Sequence, residues 1–461
     1  MKRAALIIAL FAAACTFVRN DVGTSAAPSQ QWTPPANAVP SPTPVPRNDL
    51  TLPANYTPGM PISLAEVVDV ALSNNPATRI AWLQARSAEA ALGSAESDYF
   101  PEIDLNAGVS TAKSASTNRT LTTFGPSATL NYLLFDFGGR AATVEQARQT
   151  LIASNFLHNQ SIQDVILRSQ QAYYSYLDAR ALLAAEDATI KERQTSLDAA
   201  QARHNAGVAT IADVLQAKTQ LSQAQLNRET IEGNLRTIEG QLATVMGLPA
   251  TTRFDFGELP LNIPARQVNE AVDAMINRAV AQRPDLAAAR ASALRAEARI
   301  QQVRSAYLPS IGLSSNIAST WTNNGGGTNT PYSVGVSMRW PIFTGFRNIY
   351  DTRQAQIEAQ IAHEDVRSLE DQVNLQVWTT YYDLQTATQR LTTARDLLAS
   401  AQESLDVARD RYRAGVGSIL DLLTAQSALE SARAQEVQSR ADWFVSVAQL
   451  AHATGSLGSL Q

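Results

Sequence analysis

The sequence contains few of the residues from which catalytic and metal sites are usually built. Its 461 residues include one cysteine and four histidines, and the histidines are scattered without the spacing of a ligand set. A single cysteine excludes a thiolate cluster. We also find no nucleophile with a neighbouring acid and base, so we expect neither an enzyme nor a cofactor.

Bulky apolar residues are scarce as well. Aromatic residues make up 7% of a chain that is rich in Ala, Gln and Ser, and this composition does not supply two large globular cores. Ala-rich helices with narrow apolar stripes pack closely, so helix–helix interfaces could replace a central core. The net charge is only −5 and there is no basic stripe, which argues against nucleic acid as a partner.

The N-terminus predicts export and lipid anchoring. Lys2 and Arg3 precede an apolar run and three small residues, the pattern of a signal peptide over residues 1–14. Cys15, the lone cysteine, follows directly, at the position where bacterial lipoproteins carry a lipidated cysteine. The alternative is simple cleavage with Cys15 incidental. Residues 15–61 are rich in Pro, Ala, Ser and Thr and predict an extended spacer. If Cys15 is lipidated, this spacer is lipid-anchored.

Four segments alternate between apolar and polar residues, which is typical of strands with one apolar and one polar face. No run of 18 apolar residues follows residue 15, so a membrane would be crossed by strands. Four strands cannot close a barrel, and lipid does not tolerate an open strand edge, so the chain would have to oligomerise. The alternative is a soluble β-layer on a helical rod. The segments lie at 103–110, 124–134, 311–321 and 332–340.

An internal duplication organises the chain. Residues 203–225 and 411–433 are identical at ten of 23 positions, at a constant offset of 208. Each copy predicts that a long helix ends at a glycine, Gly207 or Gly415, and that another helix begins directly afterwards. A helical pattern of about 65 residues precedes each turn, which implies coiled-coil-like neighbours.

Each half of the chain, 62–264 and 265–461, therefore reads as helix, strand, strand, long helix, turn and helix. The sequence resembles the outer membrane factor family, the TolC-like channels of tripartite efflux and type I secretion systems. The motifs are the paired A-G-V-x-[ST]-I-x-D hairpins, the duplication, and the strand-to-helix junctions at 134–140 and 340–347. Together they extend over nearly the whole chain.

The resemblance implies a mixed, mainly α fold with a transmembrane β-barrel part. The expected homotrimer has a twelve-stranded β-barrel in the outer membrane, continuous with a twelve-helix periplasmic α-barrel. It is a passive export duct, lipid-anchored in outer-membrane lipid, whose partners are a periplasmic adaptor and an inner-membrane pump. Drugs, metals, small molecules and polypeptides are all exported by such ducts, because specificity resides mostly in the pump. The competing hypothesis is a periplasmic adaptor-like helical protein, although adaptors carry one hairpin and flanking β-domains.

Asp213, Asp421 and Tyr412 are the candidates for a pore constriction. By resemblance, three copies of each aspartate would form carboxylate rings at the periplasmic entrance, and their mutual repulsion would raise the pKa values. The alternative is a local role, because Thr210 with Asp213, and Ser418 with Asp421, fit capping boxes. Tyr412 matches a family contact that holds the entrance closed, and the alternative is a tip residue that faces solvent.

The hairpin tips are the expected contact with the adaptor. The family's best-known members also carry an acid three residues after each aspartate, whereas this chain has Gln216 and Thr424. We therefore expect a weaker ring and a looser seal. The tip residues are Gly207, Val208, Gly415 and Val416.

Overall fold

The structure is a computed structural model that describes residues 61–113, 120–261, 263, 271–322 and 330–457. No helix in these ranges is long and apolar enough to cross a membrane. The predicted signal peptide, Cys15 and the predicted spacer up to residue 60 lie outside the described residues. The helices are α1 (Leu64–Asn74), α2 (Pro76–Glu96), α3 (Gly139–Asn205), α4 (Ile211–Val245), α5 (Val272–Gln282), α6 (Pro284–Ser305), α7 (Arg347–Arg413) and α8 (Ile419–Ala453). The strands are β1 (Glu102–Lys113), β2 (Thr120–Phe135), β3 (Ser310–Ala318), β4 (Trp321–Thr322) and β5 (Tyr332–Arg339).

The strands form one antiparallel sheet in the order β1-β2-β3-β5, with β4 paired to β2. The prediction of one continuous third strand at 311–321 is wrong, because β3 ends at Ala318 and β4 begins at Trp321. The break lies opposite Pro126 of β2. The carbonyl oxygen of Pro126 accepts a hydrogen bond from the Ser319 amide at 2.9 Å, but proline has no N–H group that could donate a second hydrogen bond to the facing strand.

The predicted alternation of the strands is confirmed by their register. Apolar residues face each other across β1 and β2, as in the pair Leu105 and Ala128, and so do polar residues, as in Asn106 and Ser127. The apolar side chains of β1 and β5 are exposed on the single chain: Leu105 is 84% and Tyr332 79% exposed. The sheet therefore presents an apolar face that the chain itself does not cover.

Each long helix packs against other helices on several sides. α3 and α7 each contain 67 residues, a length of about 100 Å at 1.5 Å per residue. α3 packs on α4 and α8 towards its C-terminal end and on α2 and α6 towards the sheet, while α7 packs on α5, α6 and α8. The buried residues accordingly form separate clusters along these interfaces, which confirms the prediction that such interfaces replace a central core.

The two repeats keep one tertiary contact with different side chains. Asn75, between α1 and α2, donates from Nδ2 to the carbonyl oxygen of Val245 at 2.9 Å. At the equivalent place Arg283 donates from its guanidinium to the carbonyl oxygen of Ala453 at 3.1 Å. Both side chains satisfy a carbonyl that the end of a return helix leaves without an intrahelical partner. The last turn of α4 and that of α8 are thereby fixed to the short helices.

Candidate hairpin entrance site

The two helical hairpins turn by the same hydrogen bonds. Gly207 has φ +76°, and the amide of Val208 donates to the carbonyl of Arg203 at 3.0 Å. Gly415 has φ +77°, and the amide of Val416 donates to the carbonyl of Arg411 at 3.0 Å. This left-handed C-terminal motif satisfies carbonyls of the last helical turn and reverses the chain. The predicted helix ends at the two glycines are confirmed.

Each return helix begins with a capping box, as the local interpretation of the aspartates predicts. Asp213 accepts a bond from the Thr210 amide at 3.0 Å, while its own amide donates to the Thr210 hydroxyl at 3.3 Å. Asp421 accepts from the Ser418 amide at 3.3 Å and donates to the Ser418 hydroxyl at 3.1 Å. The capping role is therefore confirmed at both positions, and the pore role stays a prediction.

The electrostatics of the second cap differ from those of the predicted carboxylate ring. The Ser418 hydroxyl and then the Ser418 amide hold the pKa of Asp421 below its ordinary value, and the charge of Arg411 acts in the same direction. A depressed carboxyl pKa stabilises the folded state above the ordinary pKa of about 4, and that stability is lost as the pH falls through the lowered pKa. Ring repulsion would raise the pKa instead, so the two roles have opposite titration signatures.

A side-chain contact joins the two hairpin ends. The guanidinium of Arg203 lies over the ring of Tyr412, 4.7 Å from its centroid, and its Nη1 donates to the carbonyl oxygen of Tyr412 at 2.7 Å. Tyr412 is only 6% exposed, so the alternative that it faces solvent is wrong. Burial raises the pKa of the Tyr412 hydroxyl, with the Arg203 charge opposing the shift and the Asp213 charge adding to it. Residues of both turns therefore meet around one aromatic ring.

The two valines of the tips are exposed, whereas Gln216 and Thr424 line a cavity. Val208 and Val416 are 66% and 69% exposed, so each turn presents an apolar side chain. Gln216 and Thr424 both line a cavity of about 480 Å³ between α4 and α8. The two positions at which this chain lacks the additional acid thus lie at one cavity, which is lined by leucines and uncharged polar residues.

Two features of this end of the molecule were not predicted from the sequence. Arg203 was not selected, although its contact explains why Tyr412 is buried, and the replacement of His204 by Tyr412 between repeats was the available signal. Nor was Arg193 selected, which is 1% exposed and joins α3 to α8. Arg193 lies in an ordinary polar stretch of helix, so the sequence offered no signal for it.

Comparison with solved structures shows the class of protein that this fold defines. The chain superposes on CusC, whose structures were described for folding and transmembrane channel formation, with a TM-score of 0.77 and 20% identity, covering 92% of this chain and 99% of CusC. The two chains therefore share one fold over nearly their whole lengths.

The family follows from sequence comparison. Residues 67–248 and 275–456 match the outer membrane efflux protein family, and the two ranges begin at the offset of the repeat. CyaE of Bordetella pertussis is 29% identical over 414 residues, covering 86% of this chain and 85% of CyaE. BepC of Brucella suis biovar 1, an outer membrane efflux protein, is 27% identical over 373 residues, covering 79% of this chain and 78% of BepC.

The chain belongs to the outer membrane efflux protein family, the TolC-like channels. It is an outer-membrane channel for efflux or type I secretion that extends into the periplasm, and the family consists of passive channels rather than enzymes. The predicted family, the mainly helical fold with a β part, the channel function and the outer-membrane location are confirmed. The trimer and the lipid anchor stay predictions. The adaptor-like alternative and the soluble β-layer are set aside by the same matches.

Proposed function

We propose that three copies of the chain close into one export duct. The observation that carries this proposal is the pair of open sheet edges: in the described residues β1 pairs only with β2, and β5 only with β3. Lipid cannot hydrogen-bond such edges, and three sheets paired edge to edge remove all of them. Because β3 and β4 pair with successive parts of β2, each chain contributes four positions across the sheet, and three chains give the twelve-stranded β-barrel. The twelve-helix α-barrel would consist of α3, α4, α7 and α8 of the three chains.

Exposed apolar side chains on α4 and α7 support the same assembly. Leu226 of α4 is 61% exposed, and Leu375 and Val407 of α7 are 65% and 57% exposed on the single chain. α4 and α7 pack on α3 and on α8 respectively but make no extensive contact with each other in the described structure. In the trimer, α4 of one copy would meet α7 of the next and bury these side chains.

The duct would work with a periplasmic adaptor and an inner-membrane pump. The tips are the proposed adaptor contact, because they combine two rigid glycine turns, Gly207 and Gly415, with the exposed Val208 and Val416. Exposed apolar groups on a fixed backbone suit protein docking. In this proposal the pump supplies the energy for export.

The N-terminal and domain assignments are part of the proposal. Cleavage after residue 14 would leave Cys15 as the acylated first residue, and residues 15–61 as the segment that connects it to the first repeat. The repeats are placed at 62–264 and 265–461. A lone cysteine directly after a small-residue cleavage site supports the anchor.

Fractionation followed by gel electrophoresis tests the assembly. The protein should be recovered with outer membranes and should migrate, without heating, at about three times the 49.7 kDa of the chain. Heating should give the monomer, because the barrel then opens. A monomer in the soluble periplasmic fraction would overturn the duct.

A matched pair of substitutions separates the capping and pore roles of Asp421. Ser418→Ala keeps the carboxylate and removes the cap hydroxyl, so we expect a loss of about 1 kcal/mol in helix stability with unchanged cation selectivity. Asp421→Asn keeps an oxygen that can accept the Ser418 amide bond but removes the charge, so we expect reduced cation selectivity and reduced block by multivalent cations. Single-channel recording in planar bilayers and thermal unfolding measure both, with Asp213→Asn tested in parallel.

Opposite results would assign the residue to the cap alone. If Asp421→Asn and Asp213→Asn leave conductance and cation block unchanged while lowering thermal stability, the constriction does not contain these carboxylates.

A further inference from the structure

A second polar site lies along the helices, away from the hairpin ends. A cavity of about 500 Å³ opens between α3, α4 and α8, and most of its polar lining consists of amide and hydroxyl side chains. Only two charged residues line it, Glu186 of α3 and Glu430 of α8. Leu182, Ile231 and Ala224 add apolar wall.

Glu186 is the unusual member of this lining. Glu186 is 6% exposed, and its Oε1 atom is buried and accepts no hydrogen bond from any described residue. A buried carboxylate oxygen without a donor carries the full cost of its desolvation. A ligand that supplies a donor or a positive charge would remove that cost.

The neighbouring cations are engaged elsewhere. Arg193 donates to Glu430 at 3.0 Å and to Gln426 and Ser427. Arg228 of α4 binds Asp187 at 2.8 Å. Of the two carboxylates that line the cavity, Glu430 is therefore paired with Arg193, whereas Glu186 has no ion pair among the described residues. Asp187, next to the cavity, is paired with Arg228.

The titration of Glu186 follows from this arrangement. Burial, and after it the charge of Glu430, raise the pKa of Glu186 to about 7, against the opposing effects of the Arg193 charge and a hydrogen bond from Asn227; the charge of Asp187 adds a smaller increase. The carboxyl is consequently neutral in mildly acidic solution and charged in mildly basic solution.

We propose that this cavity binds an organic monocation, an alkyl- or arylammonium ion whose charge pairs with Glu186. The volume is far larger than a metal ion requires, and among the described residues no three His, Cys, Asp or Glu side chains are grouped to hold a metal. A single uncompensated carboxylate matches one positive charge. The apolar wall matches the hydrocarbon part of such a ligand.

Ethidium is a suitable probe, and fluorescence anisotropy on the full-length protein in neutral detergent measures its affinity. At pH 8, Glu186→Gln should weaken binding by about tenfold or more, because a charge-assisted contact is lost. Glu89→Gln, on an exposed part of α2, is the matched control and should leave the affinity unchanged.

The pH dependence gives an independent readout. Between pH 8 and pH 6 the wild-type affinity should fall by about tenfold as Glu186 takes up a proton, and the Glu186→Gln variant should lose this dependence. Ala434→Leu, which fills the cavity and keeps both carboxylates, should also weaken binding.

Three results would overturn the proposal. The first is a Glu186→Gln variant that binds ethidium as tightly as the wild type, with the same pH dependence. The second is an Ala434→Leu variant with unchanged binding and normal thermal unfolding. The third is loss of binding in the double variant Asp213→Asn with Asp421→Asn, which would place the probe at the hairpin ends instead.

Discussion

Replacing Arg203 with alanine is expected to raise the single-channel conductance severalfold. Arg203 holds the two hairpin ends of one chain together by a bond of 2.7 Å to the Tyr412 carbonyl and by its position over the Tyr412 ring. A stacked guanidinium and a charge-assisted hydrogen bond together stabilise such a contact by about 1–3 kcal/mol. Without them the closed arrangement of the hairpins loses stability, and the open population grows.

Arg411 provides the matched control for this experiment. It occupies the equivalent position of the second repeat, but it is exposed, and its side chain does not bridge the hairpins in the described structure. Arg411→Ala should therefore change conductance little, apart from the loss of its charge near Asp421. Equal conductance of Arg203→Ala and wild type, recorded in the same planar bilayers, would show that the contact does not restrain the entrance.

Replacing Arg193 with methionine is expected to destabilise the helical part by about 3 kcal/mol per chain. Arg193 is 1% exposed and binds four acceptors on α8, including the Leu423 carbonyl at 3.3 Å and Glu430 at 3.0 Å. Removal of the arginine takes this donor from the buried Gln426 side chain and leaves Glu430 without its countercharge. The midpoint of urea unfolding, followed by circular dichroism in detergent, measures the loss.

Two further variants identify the cause of that loss. Arg367→Met removes an arginine whose ion pair with Glu364 is exposed on both sides, and it should cost less than about 1 kcal/mol. Arg193→Met combined with Glu430→Met replaces the pair with apolar side chains and should recover most of the stability. A double variant no more stable than Arg193→Met would mean that the carboxylate is not what destabilises the single variant.

The two repeats differ in the side chains at several equivalent positions. Asn75 and Arg283 make the same contact with different side chains, so the geometry is retained while the chemistry changes. Arg203 and Arg411 are the same side chain in different surroundings, and only Arg203 lies over a tyrosine. The first and second hairpins are therefore not interchangeable, although their turns share the same hydrogen bonds.

Much of the architecture could be predicted because it depends on local signals. The glycines at 207 and 415, the hydroxyl–aspartate spacing of both caps, and the period-two strands each specify a nearby backbone conformation. The single break between β3 and β4 was not predicted, since it depends on which residue of another strand lies opposite. Pro126 is nearly 200 residues away from Ser319 in the sequence, and only the register brings them together.

The hairpin also combines features that local sequence specifies with features that depend on tertiary contacts. The sequence by itself determined that it is present twice, where each helix ends and begins, and that Asp213 and Asp421 suit a helix start, because capping acts over three residues. Only the tertiary structure decided that Tyr412 is buried under Arg203, that Arg193 is engaged with α8, and that the Oε1 atom of Glu186 is buried without a hydrogen bond from the described residues. These contacts join residues about 200 or more positions apart or, for Glu186, depend on three helices at once. A helical pattern identifies a face, but the neighbouring helix determines which of its polar side chains finds a partner.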